Sequence, residues 1–95
     1  MGMEEADRDL LAKAATALAD DMARYLGFTG IAQHGAMTAV SSAVRAYPTT
    51  LSAVLQGQRG TYQTLLAWKR EWNKRHPQHT YSLTAVGLDD KGCAL

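Results

Sequence analysis

Leu11, Ala15, Leu18 and Met22 recur at spacings of three and four, and Tyr25 or Leu26 continues the series. That spacing is the period of one helical face. Lys13, Thr16, Asp20 and Arg24 fall on the other side, so the pattern predicts a helix over 4–26, closed by Gly27. Glu4, Glu5 and Asp7 suit the positive end of its dipole and Arg24 the negative end. Rich in alanine, it fits either a core element or an arm that pairs with a second subunit. A second helix is predicted over 31–47, with Met37, Val40, Val44 and Tyr47 as its apolar stripe. Ala32, Ala36, Ala39, Ala43 and Ala46 lie beside that stripe. Small side chains permit close helix approach, so this helix is expected to be the buried spine. Gly35 interrupts the pattern near its start, and Pro48 ends it.

Leu51, Val54 and Leu55 give a short third helix over 50–56, capped by Thr49 or Thr50 and stopped by Gly57. Gln58, Arg59 and Gly60 make the corner. Thr61 then caps a fourth helix over 61–76, which Pro77 ends. On a wheel of about 100° per residue, Tyr62, Leu65, Leu66, Trp68 and Trp72 share one broad face. Gln63, Arg70, Glu71, Lys74 and Arg75 lie opposite. Trp68 and Trp72 read as core, with Trp72 the alternative interface anchor because it is nearer the helix end. Lys69 falls inside the apolar arc, so its ammonium must reach out of it or meet something negative.

Beyond Pro77 the residues from Thr80 to Leu88 favour strand, and Asp89-Asp90-Lys91-Gly92 reads as a turn. A single strand needs a partner. The tail over 80–95 therefore either folds back as a cut-down wing or pairs with the same segment of a second chain. The expectation is one domain over 1–95, mainly α, with a helix-turn-helix and a short β-prone tail.

Charge sharpens the reading. The net +1 conceals a polarity: residues 1–26 hold six acids against three bases, whereas 57–79 hold Arg59, Lys69, Arg70, Lys74 and Arg75 against Glu71 alone. In a helix-turn-helix the first turn of the second helix meets base edges, and Gln and Thr are base-reading types. Arg59, Thr61, Gln63 and Thr64 cluster there. Lys74 and Arg75, with Arg59, are candidates for phosphate. Tyr62 turns its ring to the core while its hydroxyl stays within range of the backbone. Thr49 and Thr50, at the start of the preceding helix, and Arg70 complete the expected DNA-binding set.

The run Pro48-Thr49, Ala53-Val54, Arg59-Gly60-Thr61-Tyr62, Thr64, Leu66 and Trp68 resembles the N-terminal DNA-binding domain of the KfrA-type plasmid regulators. The likeness covers residues 48–72, with Thr61 where the family pattern has Ser. It implies a helix-turn-helix, duplex DNA as partner and a role in transcription regulation on a plasmid or phage.

The remaining chemistry points away from catalysis. Cys93 is the only cysteine, so no disulfide framework or Cys-based zinc site is expected. His76 and His79 flank Pro77 with no acid or cysteine near them, and His34 stands apart, so all three read as solvated or phosphate-contacting. Asp20-Asp21 and Asp89-Asp90 are adjacent pairs with no shared pocket in prospect, and Ser41, Ser42 and Ser52 lack a nucleophile motif. No enzyme activity, cofactor or metal is expected. With no apolar run long enough for a membrane span and no signal peptide, a cytoplasmic protein follows. A homodimer is expected from the small core and the two-fold symmetry of most operators. The alternative is a small helical protein-interaction module, an inhibitor or adaptor from a mobile element, whose basic helix meets a protein partner.

Overall fold

The computed structural model describes residues 2–58 and 62–82. Over these the chain forms α1 (Gly2–Tyr25), α2 (Ala36–Ala43), α3 (Pro48–Leu55) and α4 (Tyr62–Arg75). The protein is mainly α, and no strand occurs among the described residues. α1, α2 and α3 pack on one another, while α4 lies against α2.

The spine is α1 rather than α2. Ala14, Ala15, Leu18, Ala19, Met22 and Ala23 are all buried, so α1 has two adjacent columns of core positions. Ala15, Ala19 and Ala23, at spacing four, are small enough to let neighbouring helices approach, and Leu18 and Met22 fill the space between. α2 has only eight residues, against the seventeen expected over 31–47. Its first five expected residues form turns instead: the Gln33 N–H donates to the Gly30 carbonyl and the Ala36 N–H to that of Gln33. Gly35 is left-handed (φ 87°) and sets the helix start one residue later. The Asp20 side chain holds this connector, accepting the Ile31 N–H at 2.9 Å while pairing with Arg24 at 2.6 Å. Val40 and Val44 keep their core places, but Ala32 is exposed and Tyr47 lies outside the helix, 78 % exposed.

α3 starts two residues before the expected position. Pro48 occupies its first turn, where the missing N–H costs nothing, and Tyr47 is the cap residue. Neither Thr49 nor Thr50 caps it, because both are already helical. Leu51 and Val54 enter the core and Leu55 is half-buried.

Three helices end alike. After α1 the Phe28 N–H donates to Ala23 and that of Gly27 to Arg24. After α2 the Ala46 N–H donates to Ser41 and that of Arg45 to Ser42. After α3 the Gln58 N–H donates to Ala53 and that of Gly57 to Val54. Each is a Schellman closure, which needs a left-handed residue just past the helix. Gly27 (φ 102°) and Gly57 (φ 76°) serve the first and third; Arg45 (φ 55°) serves the second, without a glycine. A Cβ on Gly27 would meet no atom within 4 Å. Gly27→Ala should therefore cost backbone strain alone, about 1 kcal/mol, measurable as a lowered urea midpoint with unchanged slope.

Candidate nucleic-acid interface

The orientation of α4 follows from what it buries. Leu65, Trp68 and Trp72 are buried in the core, and Leu66 is partly buried against it. Trp72 has no exposed surface at all, so it is a core anchor and not an interface residue. Gln63, Ala67, Arg70 and Lys74 recur at spacings of four, three and four, and all are exposed. This stripe is the outward face of α4. Thr64 and Lys69, at its margins, are half-buried.

Arg75 is not one of the stripe's free cations. Its Nε pairs with Glu71 at 3.1 Å and its Nη1 donates to the Ser42 carbonyl at 2.9 Å. It is a clamp between the last turn of α4 and the last turn of α2, where unpaired carbonyls and the negative dipole end favour a cation. Two of the five guanidinium donors are thus engaged within the fold, and the side chain stays 40 % exposed. Of the other expected residues, Thr49 is exposed and Thr50 half-buried in the first turn of α3. Tyr62 opens α4. Arg59 and Thr61 lie outside the described residues, as does the β-prone tail from 83 onward, with both its wing and its strand-pairing forms.

The two histidines near Pro77 both pack against aromatic rings, His76 half-buried and His79 exposed, as a solvated side chain is expected to be. His76 stacks on Trp72 with centroids 3.9 Å apart, and its Nδ1 sits 3.2 Å from the Trp72 carbonyl at the end of α4. His79 stacks on Tyr25 at 4.2 Å, and Tyr25 meets Trp72 edge-on at 5.6 Å. The Trp72 indole N–H donates to the His79 carbonyl at 2.9 Å. One helical turn's edge away, Asn73 pairs with the Tyr81 backbone at both ends of its amide: the Tyr81 N–H donates to Oδ1 at 2.7 Å and Nδ2 donates to the Tyr81 carbonyl at 2.9 Å. Asn73 thus does for this extended segment what a neighbouring strand would do. No sequence rule singled out Asn73 or Tyr81; an Asn on the flank of a helix reads as a surface residue until its partner is seen.

A hollow of about 420 Å³ beside this cluster is lined by Asp21, Arg24, Tyr25, His79, Thr80 and Tyr81. Its charged wall is internally paired, since Arg24 holds both Asp20 and Asp21. Among the described residues, no three His, Cys, Asp or Glu side chains gather as a metal site. No helix among them is long and apolar enough to cross a membrane.

Compared with protein-family models, curated proteins and solved structures, the chain matches none.

The Tyr81 hydroxyl is buried with no hydrogen-bond partner among the described residues. Burial, then the charge of Asp21 and the proximity of Tyr25, push its pKa up from 10.0 to about 12. The folded state thus holds this proton more tightly than the unfolded chain does. Tyr81's contribution to stability is therefore constant well below pH 10 and falls as pH rises through 10 to about 12, because the unfolded phenol ionises first. Tyr81→Phe should remove that part of the alkaline loss. At neutral pH it should be neutral or stabilise by up to about 1 kcal/mol, since it deletes an unsatisfied hydroxyl. Chemical denaturation at pH 7 and pH 11 checks both.

Proposed function

We propose that this is a DNA-binding protein of helix-turn-helix type, in which α4, held against α2, enters the major groove. The observation that carries the reading is the rotation of α4. Its tryptophan face is buried, and the stripe it turns outward bears an amide near the N-terminal end and cations towards the C-terminal end. An exposed Gln63 in the first turn suits a bidentate pairing with adenine, and Arg70 and Lys74 suit the phosphates flanking the groove. Arg59 and Thr61, which precede α4 in the sequence, are assigned to the same proposed surface on that ground. The likeness of residues 48–72 to the KfrA-type regulators supports the same partner and suggests transcription regulation in the cytoplasm, as a homodimer on paired half-sites.

The commitment of Arg75 to Ser42 and Glu71 leaves fewer cations for the groove than the sequence alone implies. A modest salt slope is the consequence, and specificity has to come from few residues. The test is selection from a random duplex library, followed by binding across a salt series. Gln63→Ala should weaken the selected duplex by about 1–3 kcal/mol and a scrambled one hardly at all. Lys74→Ala should weaken both alike and lower the salt slope by about one ion. Failure to enrich any sequence, with no retention of duplex at low salt, would overturn the reading in favour of a protein partner for the stripe.

A further inference from the structure

The α2–α3 corner carries a feature that packing does not explain. Three helices end in the same closure, and two place glycine at the left-handed position. The third places Arg45 there, although a side chain in that conformation is strained and glycine would relieve it. The Arg45 side chain is exposed, and among the described residues no hydrogen bond or ion pair engages its guanidinium. It stabilises nothing in the described fold that would offset its backbone cost. Two residues on, Tyr47 is 78 % exposed, far more than the other exposed large apolar residue, Tyr25 at 40 %.

The corner is also tied to the end of α4. The Ser42 carbonyl accepts both the Arg45 N–H at 3.3 Å and the Arg75 Nη1 at 2.9 Å. Arg45 therefore leaves the fold beside the last turn of α4, which carries Lys74 and Arg75. That last turn holds two cations against Glu71 alone, and Glu71 is held by Arg75. An excess of positive charge with an unengaged guanidinium favours an anion.

We propose that Arg45 and Tyr47 form a second contact, separate from the base-reading stripe, that grips the phosphodiester backbone of DNA beyond the C-terminal end of α4. Arg45 supplies a forked donor to a phosphate, and the Tyr47 hydroxyl donates to the same or the adjacent phosphate. The inference rests on the DNA-binding reading above and adds to it a sequence-independent clamp. Such a contact positions the duplex along α4 without reading it.

Arg45→Gly is the diagnostic change, because strain relief and contact loss move opposite observables. The variant should melt a few degrees higher than the wild type. On a mixed-sequence DNA duplex its affinity should fall about eightfold at 0.1 M salt, with the salt slope lower by about 0.9. Arg45→Lys, which keeps the charge, should retain the slope, and Tyr47→Phe should weaken binding while leaving the slope unchanged. A mixed-sequence RNA duplex run alongside should show a smaller effect of Arg45→Gly if the clamp fits B-form spacing; equal effects would overturn the assignment to DNA. If Lys74→Ala lowers the slope and Arg45→Gly does not, the clamp is refuted while DNA binding by α4 stands. If the wild type retains no duplex at low salt, both are refuted. A lower melting temperature for Arg45→Gly would refute the premise that arginine is kept there at a cost.

Discussion

The burial of Trp72 is the constraint on which the rest depends. Its ring is fully inside, packed between His76 on one face and Tyr25 at its edge, and its N–H is satisfied by the His79 carbonyl. Truncating a buried tryptophan costs about 3–5 kcal/mol, a large share of the roughly 5–15 kcal/mol that holds a small domain together. Because α4 is fixed by this side chain, with Trp68 and Leu65 along the same face, its rotation is fixed too. The outward stripe of Gln63, Ala67, Arg70 and Lys74 is the complement of that burial.

Around this anchor the helix ends do much of the work that a larger core would do elsewhere. Asp20 ties the α1–α2 connector back to α1, Arg75 ties α4 to α2, and Asn73 ties the segment after Pro77 to α4. Each of these polar side chains satisfies backbone groups that would otherwise face water or go unpaired. The residues that make a small four-helix arrangement hold one shape are thus partly the ones a hydrophobicity pattern passes over.

The division between what the sequence revealed and what it concealed follows from that. α1 and α4 were legible because long amphipathic periods with a glycine or proline at the end leave little choice. The burial of Trp68 and Trp72 followed from their spacing on one face. α2 was overextended because Ile31 to Gly35 continue an apolar, alanine-rich period while their backbone forms turns. Its end was misjudged for a related reason: Arg45 adopts a conformation usually left to glycine, so no stop signal was visible before Pro48. At the candidate interface, the sequence placed Gln63, Arg70 and Lys74 on the outward side, where all three are exposed, but it gave no sign that Arg75 bridges Glu71 and Ser42. Periodicity tells which side of a helix a residue is on, not whether a distant carbonyl such as that of Ser42 will claim it.

The central claim is that burial of the tryptophan face turns α4's opposite face towards a duplex. Amide and indole NMR shifts followed during titration with a library-selected duplex test it most directly. The account predicts large perturbations at Gln63, Ala67, Arg70 and Lys74, with the Leu65 amide and the Trp72 indole N–H nearly unmoved. Perturbations confined to the exposed side of α1, at Lys13, Thr16 and Ala17, with the α4 stripe silent, would contradict it.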